Sequence, residues 1–420
     1  MQPTDLVILS NGPGEVATWV RLVVKYLTQV MEDEQIRQIR ISVMLSPCPH
    51  STGKEAAIAS SYPEVDRVLP ASDFWAFLLW GKTKADWQWH QHGIVFFLGG
   101  DQFYTVAISK RLGYSSLIYA EWDARWYRLV DRFAAMNQQV IEGVTKSYRH
   151  KFTLVGDLMA DVALEIDHQA TKLNQNTPVI GLLVGSKPAK LSQGVPLCLA
   201  IAEKIQQQYP QVKFIIPVAP TLDLTTLSKY ANRQGNRLVS RLGNVEAELV
   251  AASATQTAYF LTSQGTKIQL ITKFPAYETL VSCQICLTTV GANTAELTAL
   301  GVPMIVLLPT QQLDAMRSWD GIPGMLANLP GVGTVFAKLI NWLVLRQKRL
   351  FAWPNIWAGE EIVPELVGKL EPEMVAELVL DYLAHPEKLQ AMRDRLQVVG
   401  GRTGAANQIA DIIKQEITKI

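Results

Sequence analysis

The chain has 420 residues, 48% apolar and 18% charged, enough to bury two or three separate cores. Its net charge of +1 gives no global field for nucleic acid, so any anionic partner must be met by a local patch. The opening MQPTDLVILSNG has no basic segment ahead of its apolar run, and no apolar run reaches about 18 residues, so neither a secretory signal nor a spanning helix is expected.

Strand-like runs alternate with helical stretches along the chain, which predicts an α/β fold of parallel sheets covered by helices. The first half reads as strands at 6–10, 40–45, 94–99, 115–120, 132–136 and 152–156, with helices at 15–31 and 102–112 among them. The polar stretch 167–178 lacks hydrophobic periodicity and reads as a linker. It divides an N-terminal Rossmann-like domain, 1–166, from a second one, 179–385, followed by C-terminal helices, 386–420, that return to the first domain or serve a partner subunit. The second domain reads as strands at 179–185, 213–219, 237–240 and 257–261 plus two within 284–306, with a helix around 193–208. The last hundred residues read as mostly helical, with amphipathic helices at 372–384 and 387–416. In doubly wound sheets ligands bind outside the carboxyl ends of the strands, so both domains are expected to contribute loops to a cleft.

The first strand runs into SNGPGEVATW, where Asn11, Gly12 and Gly14 permit a tight turn and Glu15 opens a helix. Ala17 stands where a third glycine would complete a dinucleotide fingerprint, so this turn is weak evidence for such a site. Glu15 is either an acid in the cleft or a complement to the helix dipole. The run LGGDQF puts Asp101 between a strand and a helix, a place for an N-cap and equally for a base that accepts a proton from a substrate hydroxyl. His90 and His92 have no Cys or acidic partner close in sequence and read as loop residues. Cys283 and Cys286 form a CxxC without a second Cys/His pair, so they read as buried thiols and no metal is expected.

Segment 184–191, VGSKPAKL, ends a strand with a Gly185-Ser186 turn and brings Lys187 and Lys190, cations suited to a diphosphate leaving group. Segment 215–221, IIPVAPT, repeats the strand-then-turn arrangement. In 284–306, QICLTTVGANTAELTALGVPMIV, a strand, a glycine turn and a helix aim the N–H groups near Gly291, Ala292, Asn293 and Thr294 at one point, which suits a phosphate. Glu296, one turn into the helix, is placed to reach a ribose hydroxyl of the same nucleotide. Aromatic residues cluster with cations in two places. One holds Trp75 and Trp80; the other, 333–353, holds Trp342 with Arg346, Lys348 and Arg349. Such interleaving fits a surface that meets anionic lipid, a core helix with a basic end, or a channel for an acceptor chain.

Four segments together resemble lipid A disaccharide synthase, a two-domain GT-B glycosyltransferase family. VGDLMAD (155–161) is similar to its Gly-His-x-Met-Ala-Asp segment, with Asp157 in place of histidine. VGSKPAKL is similar to its Gly-Ser-Arg loop, with Lys187 for arginine, and VGANTAE (290–296) to its Ser-Gly-Thr-x-x-x-Glu loop. WPNIWAGEEIVPELV (353–367) is the most specific match. The N-terminal half departs further: Gly12-Pro13-Gly14-Glu15 replaces the family's opening motif, a gap is needed to bring Asp101 onto its candidate base, and EWDARWYR (121–128) resembles its Trp-Ala-Trp-Arg segment.

The resemblance implies metal-independent, inverting transfer from a UDP-sugar, without cofactor, to a lipid acceptor at the membrane surface. Asp101 would be the base, with Glu15 as substitute. Gly185, Ser186, Lys187, Gly291, Ala292, Asn293, Thr294 and Glu296 would hold the donor. It implies a cytoplasmic, peripherally membrane-associated homodimer that binds no nucleic acid. A well-kept donor half beside an altered acceptor half points to a related enzyme with a different acceptor. The rival readings are a nucleotide-sugar 2-epimerase and a non-catalytic nucleotide-sugar binder, with a dehydrogenase least supported.

Overall fold

The computed structural model describes residues 3–33, 39–48, 51–166, 177–253, 256–309 and 349–419. The chain divides into two compact units, Met1–Glu165 with Gly401–Ile420, and Ile166–Gly400. The second division falls inside 386–420, which the sequence presents as one piece. Residues 167–176 of the expected linker lie outside the described residues.

The first unit holds seven strands: β1 (Thr4–Ser10), β2 (Ile39–Leu45), β3 (Arg67–Leu69), β4 (His92–Phe97), β5 (Ser115–Ala120), β6 (Arg132–Ala135) and β7 (Phe152–Leu154). They lie in the order β3-β2-β1-β4-β5-β6-β7, and every pair is parallel. Central β1 is buried on both faces, with Leu6, Val7 and Ile8 fully inaccessible. That explains its continuous apolar run. The chain first winds outward through β2 and β3, then crosses back to β4 on the other side of β1. This reversal opens a crevice between the carboxyl ends of β1 and β4. At the opposite end of β1, Asp5 is fully buried and accepts from Arg40, the His90 backbone N–H and the Tyr114 hydroxyl. Burial pushes its pKa up, but those hydrogen bonds and the Arg40 charge outweigh it and hold the carboxyl below its ordinary value.

The second unit holds β8 (Val179–Leu183), β9 (Lys213–Pro217), β10 (Ala247–Val250), β11 (Tyr259–Thr262), β12 (Lys267–Ile271), β13 (Ile285–Thr289), β14 (Met304–Pro309) and β15 (Glu365–Gly368). Their order is β10-β11-β12-β9-β8-β13-β14-β15, so the winding reverses between β8 and β13. The expectation of purely parallel sheets fails at one edge, where β10–β11 and β11–β12 are antiparallel. Short connections close this meander, one of them at Gly265.

Two further expectations change. Residues Arg237–Arg241 form a 3-10 helix rather than a strand, because the Asn236 side chain accepts from Leu238 N and caps a turn. The long helix expected over 387–416 breaks into Pro386–Val399 and Ala405–Thr418, with Gly400, Gly401 and Gly404 between them. The second of these helices packs on Arg21–Asp33 and belongs to the first unit. Asp161 fastens it by accepting from the Gly404 and Ala406 N–H groups. Among the described residues no helix is long and apolar enough to cross a membrane.

Candidate functional site

Each unit gathers its expected site residues at its own switch point. In the second unit β8 ends in the loop of Gly185, Ser186 and Lys187, and the helix Pro188–Gln208 starts with proline in its first turn. β13 ends in Gly291, which caps the helix Ala292–Ala299. Gly185 (φ +84°) and Gly291 (φ +135°) need conformations that side chains rarely adopt. They also need the space, since a Cβ at Gly185 would stand 3.0 Å from Lys190 Cδ and one at Gly291 2.7 Å from Lys190 Nζ.

Lys190 ties the two loops together by donating from Nζ to the Val290 carbonyl at 2.5 Å. Burial, with the charge of Lys187 adding to it, lowers the Lys190 pKa to about 8. Beside it, Thr289 Oγ1 is buried without a hydrogen-bond partner. Ser186, Lys187, Asn293 and Glu296 are half-buried around the loops, Ala292 is exposed, and Thr294 is fully buried. Thr294 Oγ1 donates to Gly291 O at 2.9 Å and accepts from Trp353 N at 3.2 Å, so it locks the turn.

The segment from Trp353 onward is a clamp on this turn. Buried Asn355 donates to Val363 O and Glu365 Oε1 and accepts from Ile362 N and Val363 N. Glu365 on β15 accepts in turn from Phe351 N and Ala352 N. The WPN motif is visible in the sequence; that it clamps is not, because no strand is expected at Glu365–Gly368.

In the first unit Glu15 folds over its own turn. A Cβ at Gly12 would lie 2.0 Å from Glu15 Oε2, and one at Gly99 would lie 3.0 Å from Asn11 Oδ1 and 3.3 Å from Glu15 Cγ. The β1 and β4 loops therefore meet. Asp101 is exposed and accepts from Phe103 N at 2.8 Å, the capping role. Ser46, just past β2, and Ser10, the last residue of β1, are buried, and neither Oγ has a hydrogen-bond partner. Residues Val16–Val20 form a π-helical turn, a feature frequent at functional sites. Within it Trp19 packs edge-on against Tyr119 at 5.6 Å, and its buried Nε1 has no partner.

Sequence reasoning missed two acids here. Glu121 directly follows β5, and Asp157 follows β7. Burial raises the Glu121 carboxyl to about 7, with the charges of Asp157 and Glu15 adding and a Trp122 hydrogen bond opposing. Burial likewise raises Asp157 to about 6, against a hydrogen bond from Met159 N at 2.8 Å and with Asp161 adding. Both lie in segments singled out by the family resemblance, and Asp157 stands where that family carries histidine.

Elsewhere, Trp75 and Trp80 are 46% and 67% exposed on the helix Phe74–Trp80, beside the equally open Leu79. Arg349 is exposed, whereas Trp342, Arg346 and Lys348 lie outside the described residues. Cys48, Cys198, Cys283 and Cys286 are free thiols, and the last three are buried. The His90 backbone N–H and carbonyl serve Asp5 and Tyr114.

No protein-family model matches the chain. It is 23% identical to lipid-A-disaccharide synthase of Nitrosococcus oceani over 318 residues, 71% of this chain and 67% of that protein. It is 27% identical to that of Xylella fastidiosa over 277 residues (62% and 58%) and 23% identical to that of Geobacter sulfurreducens over 251 (59% and 51%). The matches thus span about half to two thirds of those relatives. Among solved structures, UDP-GlcNAc 2-epimerase from Neisseria meningitidis bound to UDP-GlcNAc superposes with a TM-score of 0.52 at 14% identity, covering 98% of this chain and 100% of that one. The S. aureus MnaA–UDP co-structure gives 0.52 at 12% identity, covering 100% and 98%. At such identities these two likenesses speak to fold alone. The relationship is distant homology to lipid-A-disaccharide synthase, carried on a GT-B-like pair of α/β units.

Proposed function

We propose that the chain is a glycosyltransferase that moves a sugar, with inversion, from a UDP-sugar to a lipid acceptor at a membrane surface. The observation that carries this is the pair of glycine loops at the β8/β13 switch point, joined by Lys190 and followed by Glu296. Backbone N–H groups of the Ala292–Ala299 helix and the Lys187 and Lys190 ammonium groups suit a diphosphate, and Glu296 suits a ribose. Transfer needs leaving-group stabilisation on one face of the sugar and a base on the other. The second-unit loops are suited to the first need. The exposed Trp75, Leu79 and Trp80 give the first unit a surface suited to a lipid interface.

The test is UDP binding by calorimetry together with UDP release from candidate UDP-sugars in the presence of membrane lipid extract. Glu296→Ala is expected to weaken UDP binding about tenfold or more, the worth of a hydrogen bond to a charged group. Unchanged affinity removes the ribose role, and UDP release that ignores added lipid removes transfer. A second reading, epimerisation of the donor sugar, is favoured by the acid pair Glu121 and Asp157, since that reaction removes and returns a proton. It predicts an epimerised sugar from donor alone.

A further inference from the structure

We propose that Glu121 is the catalytic base of the transfer, with Asp157 and Glu15 as positioning carboxylates, and that the carboxyl ends of β1 and β2 in the same unit bind a polyhydroxyl acceptor headgroup. This rests on the glycosyl-transfer reading. Glu121 leaves the carboxyl end of β5, the strand next to β4, so it stands beside the switch point of its sheet. The Glu15 carboxylate, folded over Gly12 and Gly99, is close enough to act on it, and so is Asp157. Tyr119 fixes the Asp157 loop: its hydroxyl donates to Gly156 O at 3.2 Å and accepts from Leu158 N at 3.1 Å.

Unpartnered polar atoms at the β1 and β2 ends point to a ligand. Ser46 Oγ is on a residue only 2% exposed, has no hydrogen-bond partner, and lies 2.6 Å from where a Cβ of Gly100 would stand. Ser10, 0% exposed, is likewise unpartnered, as is Trp19 Nε1. A buried polar group without a partner is costly, and two hydroxyls at the ends of β1 and β2 with an indole N–H in the turn after β1 match a ligand that both donates and accepts. An alcohol-rich headgroup does so.

Asp101 is a poorer base, because its carboxylate is in water and engaged by Phe103 N. Glu121 is half-buried and influenced by negative neighbours: Glu15 from the β1 loop, and Asp157, itself next to Asp161, from the segment after β7. Those surroundings keep its proton affinity near neutral, where a base is most effective. In the step, the acceptor O–H gives its proton to Glu121. The freed oxygen pair bonds to the anomeric carbon, and the bond from that carbon to the diphosphate oxygen breaks, its pair leaving with UDP. Glu121 then returns its proton to solvent.

The experiment uses the full chain, the UDP-sugar and lipid extract that release UDP, and the variants Glu121→Gln, Glu121→Asp, Asp157→Asn and Asp101→Asn. Glu121→Gln is expected to lower kcat about 100-fold or more with UDP affinity unchanged, and Glu121→Asp to recover part of it. Asp157→Asn removes a like charge, so the acid limb of the kcat/KM profile moves to lower pH. Asp101→Asn is the rival test: an acid limb that follows Asp101 rather than Glu121 overturns the assignment. A Glu121→Gln enzyme within threefold of wild type overturns the assignment and leaves the transfer reading standing. If the wild type transfers to no lipid, that reading falls. In an enzyme that does transfer, infrared pH titration gives a second readout: a carboxyl that titrates near neutrality in wild type and is missing from Glu121→Gln supports the assignment, and its absence from wild type overturns it.

Discussion

Lys190 shows what a single residue contributes that its motif does not reveal. VGSKPAKL presents two lysines on equal terms, and the fold separates them: Lys190 crosses to the second glycine loop while Lys187 stays at the helix start. One of its three N–H donors goes to Val290 O, which leaves two for a diphosphate. Its lowered pKa gives a testable sign. The ammonium is intact below about 8 and lost above it, and an anion binds the charged form. UDP affinity should therefore be level up to about pH 7 and fall as pH rises through 8 and beyond. Lys190→Met should weaken binding about 10- to 100-fold at pH 7 and flatten that fall, which calorimetry at three pH values would reveal. A Lys190→Met protein with the same affinity and slope as wild type would exclude the contact. Glu121 and Asp157 were illegible for the reason that makes them interesting. A lone acid in a loop carries no periodicity, and its pKa is set by neighbours from distant strands.

Elements were legible where local chemistry decides them and illegible where partners do. The apolar runs of β1, β4 and β13 are long and buried on both faces, so the sequence declares them. β3 has three residues and β15 four, and each exists because a neighbouring strand offers it hydrogen bonds. The WPNIWAGEE segment was conspicuous, yet its role needed β15, whose Glu365 completes the Asn355 network. Four hydrogen bonds converge on that one buried amide. Asn355→Ala leaves several of their partners unsatisfied, at a cost of about 2–4 kcal/mol in the second unit. Denaturant unfolding followed through the nearby Trp353 and Trp357 measures it. Because Trp353 N–H holds Thr294, UDP affinity should fall in the same variant. A loss of stability with undiminished UDP binding would separate the clamp from the donor loop.

At the scale of the whole molecule, two sheets that wind outward, reverse and wind again explain why the informative loops are far apart in sequence. Residues 10–15 meet 99–101, and 185–190 meet 289–294, because each pair flanks the strands where winding reverses. Alternation of strand and helix announces that reversals exist but not where they occur, since strand neighbours are chosen by packing. The chain's last stretch is a clearer case. Its helix Ala405–Thr418 buries Ile409, Ile412, Ile413 and Ile417 within the first unit, although some 235 residues of the second unit intervene. At about 1.5–3 kcal/mol for each buried isoleucine, these four supply on the order of 6–12 kcal/mol as an upper bound. That matches the roughly 5–15 kcal/mol by which a domain is stable. Truncation after Gly400 should therefore unfold the first unit while the second keeps its core. Hydrogen exchange should show β1 and β4 amides losing protection and β8 and β13 amides keeping it. UDP should still bind, because its proposed loops lie wholly in the second unit, while transfer and the Glu121 titration disappear. Protected β1 amides in the truncated chain would mean that the first unit closes its core without this helix.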